Sequence, residues 1–213
     1  VYQHIRNIIF DLGGVIINID YQRTAAAFRS LGLNNFDEIY SQAKQEKLFD
    51  KLETGHLHED HFREELLMHL PSGVNQIDIN NAWNAMLLDF PVSRLDFIYK
   101  LREHYRIFLL SNTNIIHINS FLMLADEQVG KSFFENAFEK IYYSCDVGMR
   151  KPDPEIFELV LKENKLLPAE TLFIDDSAQH IDGAGVAGIH AELLLPGESI
   201  EVKYAELLSP PAR

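Results

Sequence analysis

Short apolar runs that end on polar residues recur along the chain. Asn7–Phe10 runs into Asp11, Arg106–Leu110 into Ser111-Asn112, Lys140–Tyr143 into Ser144, and Thr171–Ile174 into Asp175-Asp176; a fifth run, Ala191–Leu195, stops at Pro196-Gly197. These runs lack the alternation of a half-exposed strand, so they predict strands buried on both faces, as in a parallel sheet. Helical periodicity fills the space between the later runs. Leu95, Ile98 and Leu101 share a face ahead of the second run, and Asp153-Pro154 opens a helix carrying Ile156, Phe157, Val160 and Leu161. Strand and helix in alternation predict an α/β fold with a doubly wound, mainly parallel sheet.

One interval breaks this rhythm. About a hundred residues separate Asp11 from Ser111, where a βαβ unit needs roughly 30. Arg23–Leu31, Asp37–Asp50, Glu59–Leu70 and Asn80–Leu88 each carry a helical apolar face, with breaks at Gly32, Gly55 and Pro71-Ser72-Gly73. Residues 18–90 therefore read as a small helical domain inserted into a core built from 1–17 and 91–213. The tail Ser209–Arg213 is expected to be loose.

Composition narrows the function classes. A chain of 213 residues buries a full core without staples, and a single Cys supplies neither an internal disulfide nor a thiolate zinc site. Nineteen Lys and Arg against 32 Asp and Glu give a formal charge of −13, which opposes binding to a nucleic-acid backbone. Ile8-Ile9-Phe10 is too short for a signal-peptide core or a membrane span, so a cytoplasmic location without a membrane partner is expected.

Ligands of open α/β sheets bind beyond the carboxyl ends of the strands, which makes the residues there the candidates for chemistry. They are Asp11, Ser111 and Asn112, Asp175 and Asp176, joined by Lys151 from the loop Gly148–Pro154. Clustered carboxylates repel unless protons or a divalent cation lie between them, and hard oxygen donors suit Mg²⁺. Mg²⁺ commonly also holds a substrate phosphate, for which a lysine is a natural point charge. The set points to phosphoryl chemistry on a small phosphorylated substrate.

Phe10-Asp11-Leu12-Gly13-Gly14-Val15, Leu110-Ser111-Asn112, Lys151-Pro152-Asp153-Pro154 and Phe173-Ile174-Asp175-Asp176 resemble the four ordered motifs of the haloacid dehalogenase (HAD) superfamily. The resemblance runs from about residue 5 to about residue 195 and implies a Rossmann-like core with a C1-type helical cap. Bacterial sugar-phosphate phosphatases of the glucose-1-phosphatase type are most similar, sharing the Ser111–Asn114 and Gly148–Pro152 stretches. What this implies is a Mg²⁺-dependent phosphatase in which Asp11 attacks phosphorus and forms an aspartyl-phosphate. Mg²⁺ would lie on Asp11, the Gly13 carbonyl and Asp176, with Asp175 as ligand or outer neighbour. Ser111 and Asn112 would hydrogen-bond the phosphoryl oxygens, and Lys151 would neutralise the charge.

Gly13 departs from the pattern, since most phosphatases of the superfamily carry a general acid/base Asp there. General acid–base help is worth about 10²–10⁴ in rate. Three explanations stand: a good leaving group such as the anomeric oxygen of a sugar 1-phosphate, a substitute acid such as Asp20 or a cap residue, or a non-catalytic, regulatory binding protein. A mutase or dehalogenase outcome is a further possibility; dehalogenases need no Mg²⁺.

Other patterns have blander readings. Gly183–Gly188 matches the dinucleotide G-x-G-x-x-G string but begins well after the strand, where small residues more simply let a helix approach the sheet. His56, His58 and His61 stand at a loop-to-helix start and read as surface. Cys145 reads as a core or strand-end residue rather than a nucleophile, and Ser111-Asn112 as a helix N-cap besides their site role. Tyr21, Phe49, Trp83 and Met86 are cap residues that either meet substrate or fill the cap's own core.

Overall fold

Five parallel strands form one sheet in the computed structural model, which describes residues 2–36, 38 and 47–209. They are β1 (Asn7–Phe10), β2 (Arg106–Ser111), β3 (Lys140–Tyr143), β4 (Thr171–Asp175) and β5 (His190–Leu193), in the order β3-β2-β1-β4-β5. The unbroken apolar runs are explained by what covers the sheet. Ile8, Phe10, Ile107, Leu109, Leu172 and Ile174 enter the core on one face. Ile9, Phe108, Leu110 and Phe173 enter the core on the other. Both parities are buried, so alternation disappears.

The segment between β1 and β2 is helical, with α1 (Tyr21–Ser30), α2 (Leu48–Glu53), α3 (Glu59–Leu67) and α4 (Gln76–Asn84). These helices share a cluster of their own around Phe28, Leu52, Phe62, Ile79 and Trp83, joined from the sheet side by Ile116. Complete burial of Phe28 and Phe62 contributes about 2–3 kcal/mol each. Residues 37 and 39–46 of the expected Asp37–Asp50 helix, and the tail beyond Ser209, lie outside the described residues.

Two helix boundaries differ from expectation for local reasons. The expected Asn80–Leu88 helix instead spans Gln76–Asn84 because Asn75 and Asp78 form a capping box that sets an earlier start. Beyond Asn84 the chain turns extended, and Leu87 makes an antiparallel bridge to Ile19. Asp20 caps α1, its carboxylate accepting from Gln22 N at 3.0 Å, so that helix begins at Tyr21.

After β1 the core adds α5 (Val92–Leu101), α6 (Ile115–Gln128), α7 (Pro154–Asn164) and α8 (Ala178–Val186). The glycine string lies on α8 and after it. A Cβ on Gly183 would stand 2.1 Å from the Pro152 carbonyl oxygen, so this glycine lets α8 press against the loop that carries Lys151. Gly183→Ala is therefore expected to cost about 1–3 kcal/mol and to reduce turnover as that loop shifts. A thermal melt and a rate measurement check both, and an unchanged melting temperature would contradict the packing argument. No described helix is long and apolar enough to cross a membrane.

Candidate active site

The strand order brings the carboxyl ends of β2, β1 and β4 side by side, with a polar residue at each. Ser111 closes β2, Asp11 follows β1, Asp175 closes β4, and Asp176 comes next. Asp11, Asp175 and Asp176 each present a carboxylate oxygen within 4.8 Å of the others. Lys151 is fully buried and is no solvated loop lysine. Its Nζ donates to Asp11 Oδ1 and Asp175 Oδ2, each at 2.6 Å, and to the Leu110 carbonyl at 3.0 Å. All three ammonium protons are used, and one side chain ties β1, β2 and β4 together.

Neighbouring groups fix this lysine and the turn beside it. Asn112 Nδ2 donates to the Lys151 carbonyl at 2.8 Å and Asn112 Oδ1 accepts from Lys151 N at 2.9 Å. That side chain thus already serves the lysine backbone. The helix cap expected of Ser111-Asn112 is made instead by Asn114, which accepts from Ile116 N and His117 N at 3.1 Å. Gly14 has φ +75°, and a Cβ there would fall 2.2 Å from Asp176 Oδ2, so only glycine admits the carboxylate so close. A Cβ on Gly13 would meet Ile19 Cδ1 at 3.3 Å. Asp20 is held as the α1 cap and does not line the cavity.

The electrostatics follow from burial and charge count. Burial pushes the Asp11 carboxyl up to about 7; Lys151 opposes the rise and Asp175 adds to it. For Asp175 burial also pushes upward, but Lys151 and His180 outweigh it and hold the carboxyl at about 2. Burial and Asp175 raise Asp176. Burial disfavours the Lys151 charge, yet the two carboxylates prevail and raise its pKa. Three carboxylates facing one ammonium leave an excess of negative charge over hard oxygen donors, the setting that a small divalent cation neutralises.

A cavity of about 360 Å³ opens above these groups. Asp11, Ser111, Asn112 and Asp176 form its floor, and Tyr21, Glu53 and Met86 reach it from the helical segment. Phe49 and Trp83 do not line it; their rings stack at 5.4 Å inside the helical cluster.

Four residues of the site were not singled out by the sequence. His180 places Nδ1 3.0 Å from both Asp175 oxygens. Arg150, next to Lys151, pairs with Asp50 and lies 2.8 Å from Glu53, both on α2. Burial raises the Glu53 carboxyl, with Arg150 opposing. His117 lines the cavity from α6. A signal for both histidines was present: each is the third residue of a helix that starts at the carboxyl end of a site strand.

His58 is the N-cap of α3, accepting from Asp60 N. Cys145 follows β3 half-buried, and burial together with Asp146 pushes its thiol up to about 11, which disfavours the thiolate.

Comparison with known proteins agrees with this arrangement. The model of the haloacid dehalogenase-like hydrolases matches residues 5–188. D-ribitol-5-phosphate phosphatase of Bacteroides thetaiotaomicron is 35% identical over 177 residues, covering 83% of this chain and 85% of the relative. A HAD family enzyme of B. thetaiotaomicron, crystallised with magnesium and inorganic phosphate, superposes with a TM-score of 0.83 at 37% identity, covering 91% of this chain and 96% of that one. A predicted HAD-like hydrolase of Porphyromonas gingivalis gives 0.85 at 32% identity, over 97% and 98% of the two chains. The chain belongs to the haloacid dehalogenase-like hydrolase family.

Proposed function

We propose that this chain is a Mg²⁺-dependent phosphatase of a small phosphorylated polyol or sugar. The observation that carries the reading is the Asp11–Lys151–Asp175 arrangement beside Asp176, at the ends of three adjacent strands. The relative that hydrolyses D-ribitol 5-phosphate and the structural neighbour holding magnesium with phosphate support it. Asp11 and Asp176, with the Gly13 carbonyl, would hold the cation. Asp175 stands beside them, with both oxygens engaged by Lys151, His180 and Ser177 N. When bound, the cation supplies positive charge for the phosphoryl oxygens.

The protein's own groups do the rest. An Asp11 carboxylate oxygen attacks phosphorus; the new O–P bond forms as the ester O–P bond breaks, and the departing alkoxide oxygen takes its proton from solvent water in the cavity, leaving as the alcohol. Water then attacks the aspartyl-phosphate and releases phosphate, restoring the carboxylate. Lys151 holds Asp11 in place and offsets its charge, and Ser111 faces the phosphoryl group. Residues 18–90 act as a cap over this floor, contributing Tyr21, Glu53 and Met86 to the part of the cavity left for the alcohol.

Phosphate release from D-ribitol 5-phosphate and from glucose 1-phosphate, with Mg²⁺ and with EDTA, tests the reading. Release in Mg²⁺ that falls to background in EDTA and returns with added Mg²⁺ is expected. No release from either ester would favour a non-catalytic binding protein, and equal rates in EDTA would remove the metal. The two esters also address Gly13. A preference for glucose 1-phosphate marks a leaving group that needs no proton donor, whereas a preference for the primary ester requires an acid elsewhere.

A further inference from the structure

His117 belongs to neither the carboxylate cluster nor the lysine loop, yet it is among the most constrained side chains around the cavity. Its ring lies parallel to Trp83, with centroids 5.3 Å apart and an interplanar angle of 8°. Its Nδ1 lies 2.8 Å from Asn84 Oδ1. Two consecutive residues at the end of α4 thus hold one imidazole of α6, one fixing its plane and the other a nitrogen. Because Asn84 Oδ1 is an acceptor, Nδ1 carries the proton, and the opposite nitrogen Nε2 keeps a lone pair. That nitrogen makes no hydrogen bond to the described residues. Burial holds the imidazole neutral, with its pKa lowered to about 3.

A neutral imidazole with a free lone pair is poorly suited to a phosphate oxygen, which is itself an acceptor. It suits an O–H donor. The phosphoryl group already has its place at Asp11 and Lys151, and His117 stands on the helix that begins beyond Ser111 and Asn112. We propose that His117 is a specificity residue that accepts a hydrogen bond from a hydroxyl on the organic part of the substrate, with Asn84 and Trp83 as positioning residues for its tautomer and plane. The substrate class is then a phosphorylated chain bearing hydroxyls rather than an alkyl or aryl phosphate. This inference rests on the phosphatase reading above.

The test compares D-ribitol 5-phosphate with n-pentyl phosphate, which has the same carbon count and no free hydroxyl. The readout is the ratio of their kcat/KM values. The wild-type protein is expected to favour the polyol ester. His117→Phe keeps a ring against Trp83 but removes the acceptor, and the ratio should fall at least about tenfold. Asn84→Leu, at a position that does not line the cavity, should lower the ratio by a smaller factor. Equal losses on both esters in His117→Phe would mark a structural residue and overturn the proposal, as would an unchanged ratio. If His117→Phe fails to fold by circular dichroism, Asn84→Leu decides alone, and an unchanged ratio there overturns it. Wild-type protein that hydrolyses n-pentyl phosphate as well as the polyol ester refutes hydroxyl recognition and leaves the phosphatase reading standing. Hydrolysis of neither ester overturns the proposal, and release from glucose 1-phosphate then decides separately whether the phosphatase reading stands.

Discussion

Replacing Asp11 by asparagine is expected to lower phosphate release at least about a thousandfold while leaving the protein folded. The amide is nearly isosteric with the carboxylate and can still accept from Lys151 Nζ, now 2.6 Å from Asp11 Oδ1. Lys151 also keeps Asp175 and the Leu110 carbonyl. What disappears is the anion that the proposed mechanism uses as its nucleophile. Single-turnover phosphate release together with a melting curve measures both sides of the claim. Retention of more than a tenth of the wild-type rate would remove Asp11 from the nucleophile's role.

Lys151→Met should have the other large effect, and it should strike stability as well as rate. The lysine is completely buried between two carboxylates, and its removal leaves Asp11 and Asp175 facing each other at buried strand ends. Breaking a buried pair in this way costs about 3–5 kcal/mol, because the remaining charges are uncompensated. Denaturant titration should show that loss, and turnover should fall to background. Adding Asp175→Asn to Lys151→Met removes one of the two stranded charges, so it should recover part of the stability and none of the activity. A double variant no more stable than the single one would contradict the charge account.

Much of this was legible in the sequence, and the reasons are local. Ile8-Ile9-Phe10 and Leu172-Phe173-Ile174 announce strands because both sheet faces are covered, and that same burial leaves Asp11 and Asp175 at the strand ends. Four short motifs in order carried the family, which the match over residues 5–188 now shows. Less legible was whatever depends on meeting a distant partner. Arg150 gains meaning only when α2 brings Asp50 and Glu53 to it. His117 reads as one more residue of an apolar helix until Trp83 and Asn84 close on it. The start of α4 differs from expectation for another reason: apolar spacing marks the buried face, whereas the Asn75–Asp78 capping box decides where the helix begins.

The central place of β1 sets an order of events during synthesis. Its first residue pairs with Thr171 of β4, 164 positions later in the chain. At 5–20 residues per second, a ribosome needs on the order of 10–30 s to deliver that neighbour. Throughout that interval the strand leading to Asp11 lacks one edge partner, while the helices around Phe28, Phe62 and Trp83 already have one another. The helical segment can therefore gather first, and Asp11, made 160 residues before Thr171, is among the last residues to acquire its surroundings.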